Sequence, residues 1–161
     1  MQISRKTRPS IPAIGEGKRG VDGHIGYLLR QAHSAHRIRM EKALAETGMT
    51  LPQFSVLTMI AAYPGASGAA LAQLSLLTPQ TMSVIVANLE KARLIERRAH
   101  PEHGRIQEVL MTALGNDVLD RCRQAVAPVE AALLARMTPE EEAVVRRWLV
   151  NIAVDVGQEI R

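Results

Sequence analysis

One cysteine, four aromatic rings and no long apolar run set the first limits on this chain. Cys122 stands alone, so no disulfide can form within one copy, and a reducing compartment is expected. The rings are Tyr27, Phe54, Tyr63 and Trp148. So thin a supply leaves Leu, Ile, Val, Met and Ala to build the core, which suits packed helices. It also argues against recognition of single-stranded nucleic acid, which needs several rings for stacking. No stretch of 18 apolar residues exists, so no membrane span and no membrane partner is expected. The opening residues are basic but lack the continuous apolar segment of a secretion signal, and a cytoplasmic location is expected. Catalytic patterns are also lacking. There is no Ser/His/Asp order with supporting glycines, no phosphate-cradling loop and no carboxylate pair isolated in an apolar stretch, so neither an enzyme nor a cofactor is expected.

The chain is 161 residues long, 47% apolar, with a formal charge of +4. That is enough for one domain with a real core, or one domain with an oligomerisation module. The charge is local. Residues 1–20 hold Arg5, Lys6, Arg8, Lys18 and Arg19 against Glu16, and with Pro9, Pro12, Gly15, Gly17 and Gly20 they read as a flexible basic arm. The arm takes five of the 20 basic residues and one of the 16 acidic ones, which leaves 15 of each in residues 21–161. Attraction to nucleic acid must therefore come from local clusters or from the arm.

The stretch Thr78 to Leu94 organises the rest. Thr78 is a cap residue and Pro79 fits the first helical position. Met82, Ile85, Val86 and Leu89 fall on one helical face, and Gln80, Thr81, Ser83, Asn88 and Lys91 fall on the other. Amides and hydroxyls near a helix start are suited to base edges, and the free N–H groups there to a phosphate. Before this stretch, Thr50 and Gln53 form a capping box for a helix that stops at Tyr63-Pro64-Gly65, and Ser67 starts a short helix, GAALAQL. With Ser75-Leu76-Leu77 as the turn, the order is that of a helix-turn-helix, whose second helix enters the major groove.

Residues 95–99 and 106–111 read as two short strands, so a hairpin follows the helix-turn-helix and makes it a winged helix. Arg97, Arg98 and Arg105, with His100 and His103, give that hairpin a basic tip suited to backbone or minor groove, opposed by Glu96 and Glu102. The fold class expected is mainly α with a small β-hairpin: a winged helix-turn-helix over about 50–112 plus a helical dimerisation region.

Flanking helices complete the chain. Residues 22–47 carry a stripe including Ile25, Leu28, Leu29, Ala32, His36 and Met40, ended by Gly48. Thr112 opens a connecting helix over about 113–137, which Pro128 should kink or split. Thr138-Pro139-Glu140-Glu141 opens a last helix, to about 157, with Val145, Trp148, Leu149, Ile152 and Val156 on its apolar side. Both end helices need a partner, and an isologous homodimer would let them bury each other. His33 and His36, with Arg37 beside them, lack a Cys, Asp or Glu at ligand spacing, so no metal is expected. They are either histidines satisfied in a helix interface or, with Arg37, polar groups lining a small-molecule pocket. Cys122 lies between Arg121 and Arg123, which would favour a reactive thiol if it were accessible; the alternative is inert filling.

In this order, LPQFSVL, LAQLSLLTPQTMSVIVANLEKARLI, the HGR turn and MTALG resemble the MarR family of winged-helix transcriptional regulators, over about Val21 to Val156. The resemblance implies a single domain over 21–161 and a homodimer joined through its first and last helices. It implies binding to a pseudo-palindromic double-stranded operator, released when a small aromatic or phenolic effector settles between the dimerisation and DNA-binding parts. By position, Gln80, Thr81 and Ser83 would face bases and Arg105 would enter the minor groove. His103 stands where the family usually has an Asp two places before that Arg, and the turn before Thr78 lacks the family's common Gly. Two other functions share the fold: a helical ligand- or protein-binding adaptor without DNA contact, and a regulator controlled by oxidation of Cys122.

Overall fold

A computed structural model describes residues 11–99 and 107–159. The chain forms two compact units, one ending at Arg39 and the other starting at Met40. The elements in order are α1 (Ile25–Leu44), α2 (Leu51–Ala62), α3 (Gly68–Leu74), α4 (Pro79–Lys91), β1 (Ile95–Ala99), β2 (Gln107–Met111), α5 (Ala113–Leu134) and α6 (Pro139–Glu159). The mainly helical class with one hairpin is as expected.

In the first unit, the described half of the basic arm is not a free tail. Residues Gly17–Arg19 form a 3-10 turn. The Gln31 amide donates to the Arg19 carbonyl (3.2 Å), while the Arg19 guanidinium donates to Pro12 O (2.8 Å) and to Gln31 Oε1 (3.4 Å). Arg19 is thus used inside the unit. Residues 1–10 lie outside the described residues.

In the second unit, side-chain caps start the helices where the sequence places them. Thr50 and Gln53 close a full capping box, and Ser67, Thr78 and Thr112 each accept from the backbone N–H three residues on. Thr138 and Glu141 form the reciprocal pair at α6 (2.8 and 3.3 Å). Each cap satisfies a donor that the helix cannot, worth about 0.5–2 kcal/mol. Leu44, Val56, Leu57, Ile60, Leu71, Met82, Leu89, Val109, Leu119 and Cys122 are fully buried, and no polar or charged residue is buried among the described residues. Of the two outcomes expected at Pro128, a kink or a split, the split does not occur: α5 runs through Pro128 without a break and stops at Leu134 rather than near 137. A proline there removes one N–H from the ladder, and both Pro128 and its neighbour Ala127 are exposed.

Helix α4 is bounded by two turns of one kind. After α3, Leu77 N–H donates to Ala72 O (2.9 Å) and Leu76 N–H to Gln73 O (3.2 Å). After α4, Leu94 N–H donates to Leu89 O (3.0 Å) and Arg93 N–H to Glu90 O (2.8 Å). Both are Schellman motifs, which place one residue in the left-handed region. That residue is normally Gly, but here it is Leu76 (φ 54°) and Arg93 (φ 59°). A side chain in that region costs about 1–2 kcal/mol.

The hairpin pairs Ile95 with Met111 through Ala99 with Gln107, antiparallel. A third segment adds to its edge, unannounced by the sequence pattern: Val109 N–H donates to Ala66 O (3.2 Å) and Gly65 N–H to Val109 O (3.3 Å). At the hairpin's base, the Thr112 hydroxyl donates to Arg93 O (2.8 Å), and the same oxygen accepts from Gly115 N–H (3.0 Å). Gly115 is required by this contact, since a Cβ there would lie 2.0 Å from Leu94 O and 2.7 Å from Met111 Sδ.

Urea unfolding tests the close approach and the strained turn separately. Gly115→Ala should lose more than about 3 kcal/mol, because backbone rather than a mobile side chain must yield. Leu76→Gly should gain about 1 kcal/mol at an unchanged m-value, since the Leu76 side chain is 92% exposed and no core contact is lost.

Candidate nucleic-acid interface

The inner face of α4 buries Met82, Ile85, Val86 and Leu89, which fixes what the outer face can present. Gln80, Thr81, Ser83, Asn88 and Lys91 are all exposed, as the sequence spacing predicts. The first turn is ordered by its cap: Thr81 N–H donates to Thr78 Oγ1 (3.2 Å), and the two threonine hydroxyls lie 2.9 Å apart. Thr78 is therefore occupied as a cap residue. Val84 is 61% exposed beside these polar groups. Sequence reasoning passed over it as an apolar residue off the core stripe. Its spacing from Gln80 and Asn88, four residues each way, was the available signal.

The hairpin's cations are less free than the sequence suggests. Arg97 forms an ion pair with Glu90 of α4, and Arg98 forms one with Glu96. The hydrogen bond from Arg97 holds the Glu90 carboxyl below its ordinary range, and the same bond raises Arg97. Strand alternation puts Arg97, Val109 and Gln107 on the face turned towards α3 and α4. An open pocket of about 250 Å³ is lined by Arg97, Gln107 and Val109 of that face and by Pro79, Met82 and Ser83 of α4. The tip residues His103 and Arg105, with His100 and Glu102, lie outside the described residues.

The remaining candidates divide. Cys122 is fully buried, so control by oxidation of an accessible thiol is overturned. Arg121 and Arg123 are exposed on either side of it, and Arg123 pairs with Asp120. On α1, His33 and Arg37 are exposed and His36 is half-buried, its Nδ1 buried without a hydrogen-bond partner. No cluster of His, Cys, Asp or Glu suited to a metal occurs among the described residues.

The apolar faces of the end helices are open. Ile25 and Leu29 on α1, and Val145, Trp148 and Leu149 on α6, are 37–63% exposed. Ala32 is also exposed, Leu28 and Ile152 are half-buried, and the Val156 side chain lies outside the described set. No single described helix is long and apolar enough to cross a membrane.

Comparison with known proteins settles the family. The MarR family model matches residues 47–106, from the start of α2 to the hairpin. The HTH-type transcriptional repressor Rv2887 of Mycobacterium tuberculosis is 34% identical over 134 residues, covering 83% of this chain and 96% of that protein. The chain belongs to the MarR family. It is a transcriptional regulator with a winged helix-turn-helix fold. The crystal structure of Rv2887 in complex with salicylic acid aligns at a TM-score of 0.64 and 33% identity, over 82% of this chain and 98% of that one. The Staphylococcus aureus MepR–DNA complex aligns at a TM-score of 0.75 but 19% identity, over 83% of this chain and 96% of that one, and so speaks for the fold. In this MarR-family chain the helix that presents amides and hydroxyls to solvent is α4. The turn before it holds Leu76, and the turn after it holds Arg93, in the left-handed region.

Proposed function

We propose that this chain is a homodimeric repressor that binds a pseudo-palindromic double-stranded operator through α4 and yields it to a small aromatic or phenolic acid. The observation that carries the proposal is the outer face of α4. Gln80, Thr81, Ser83 and Asn88 are exposed together on a helix whose other face is locked into the core. Uncharged donors and acceptors of this kind suit base edges, with Gln bidentate to adenine as the strongest pairing. Val84 adds an apolar contact for a thymine methyl. Lys91, Arg98, His103 and Arg105 supply charge for backbone and minor groove, and the free N–H groups of the first turn of α4 receive a phosphate. The role is binding rather than catalysis, and the compartment is the cytoplasm, where duplex DNA is within reach.

The dimer rests on the open faces of α1 and α6. Ile25, Leu28, Leu29, Ala32, Val145, Trp148, Leu149, Ile152 and Val156 are assigned to it, and two copies would then set their reading helices roughly 34–36 Å apart, one turn of DNA. His33, His36 and Arg37 are assigned to the effector, since the unpartnered Nδ1 of His36 offers a hydrogen-bonding position beside a cation. That the relative Rv2887 was solved with salicylic acid supports an aromatic acid as the class.

Gel-shift and anisotropy titrations with duplex from the chain's own upstream region test this. The native protein should bind at submicromolar concentration, and Gln80→Ala should change which base is preferred at one position of each half-site, by about 1–3 kcal/mol, while leaving the salt dependence intact. Binding of no duplex at all would favour an adaptor of the same fold. In sedimentation, Leu149→Asp should shift the protein from dimer to monomer and weaken operator binding with it. A native monomer would refute the dimer.

A further inference from the structure

We propose that Arg97 is a positioning residue: through its ion pair with Glu90 it sets the angle between the hairpin and the reading helix, rather than contacting DNA phosphate itself. The inference rests on the DNA-binding reading above and refines it. Glu90 sits in the last turn of α4 and Arg97 at the middle of β1, so their pair spans the turn through Ala92, Arg93 and Leu94. The base of the hairpin is fixed by backbone and by Thr112, whose N–H donates to Leu94 O (3.1 Å). Farther out, Val109 packs in one core with Met82 and Val86, while Arg97 and Gln107 line an open pocket of about 250 Å³ beside them. On the solvent side of that core, Arg97 supplies a charged link from hairpin to α4.

Charge points the same way. With Nη2 engaged by the Glu90 carboxylate, part of the Arg97 donor fork is committed, and Glu90 would lie beside the negative charge of any phosphate bound there. The pair stays ionised at working pH, since Glu90 is held low and Arg97 is raised. Both side chains are partly exposed, 40% for Arg97 and 37% for Glu90, so the pair adds little to overall stability and acts on local geometry.

The test compares Glu90→Gln, Arg97→Gln and the double variant. The double variant has the same net charge as the native protein. Without DNA, amide hydrogen exchange over residues 95–99 and 107–111 should quicken several-fold in all three, with Tm within a degree or two of native. With operator, each should bind two- to fivefold more weakly, the double variant no worse than either single one, and the slope of log affinity against log salt should not change. The proposal is overturned if Arg97→Gln shallows that slope by about one unit while Glu90→Gln tightens binding, the signature of a direct phosphate contact. It is equally overturned if hairpin exchange is unaltered in the variants. Should the native protein bind no duplex, the operator reading fails, and the exchange measurement alone still judges the strut.

Discussion

The direction in which α4 points depends on two backbone turns, and the rest of the interface depends on that direction. Each turn closes with the same pair of hydrogen bonds, and each forces a side chain into the left-handed region where Gly is at ease. Leu76 and Arg93 remain there because the residues next in the chain are anchored. Leu77 packs against the core after the first turn, and Leu94 and Ile95 are buried after the second. The carbonyls of Arg93 and Leu94 are then taken up by Thr112. A local cost of about 1–2 kcal/mol at each turn is offset by burial of large apolar side chains at about 1.5–3 kcal/mol each. The chain can hold strained turns at both ends of its reading helix because the core continues beyond them.

How much of this was legible in the sequence depends on the range of the forces involved. Helix starts are short-range: a hydroxyl and an N–H three residues apart decide them, and Thr50, Ser67, Thr78, Thr112 and Thr138 all read correctly. The core face of α4 also read correctly, because helical period converts spacing into burial without further information. Helix ends were read at Gly48, at Tyr63 and at the Ser75-Leu76-Leu77 turn, but the left-handed backbone was not, since its usual signal is Gly and Leu76 and Arg93 give none. The added edge at Ala66 was invisible, since its partner Val109 is 43 residues away in sequence and the segment is too short to alternate. Arg97 was legible as a cation but not as a paired one, because Glu90 lies across a turn rather than at helical spacing. Cys122 was ambiguous for a related reason: flanking arginines look like activation on paper, whereas helical geometry turns them away from the buried thiol.

The proposed site would therefore combine a specific part and a positioning part. In that reading neutral polar groups on α4 carry the information, and they are held by apolar packing on the helix's opposite face. Charge is handled differently. Glu90, Glu96 and Asp120 each take an arginine.

The end helices place a last constraint on this picture. The described side chains of α6 contribute nothing to the buried core, and α1 contributes only Met40 and Leu44. Helices of 20 and 21 residues with open apolar faces gain little from tertiary burial within one copy. In the proposed dimer their stability would come from association, so that folding of the ends and pairing of the copies would be one equilibrium. That linkage gives an effector its leverage. A ligand seated on α1 near His36 would bear on the same helices whose pairing sets the spacing of the two reading helices, and a small change there alters whether both reach the DNA at once.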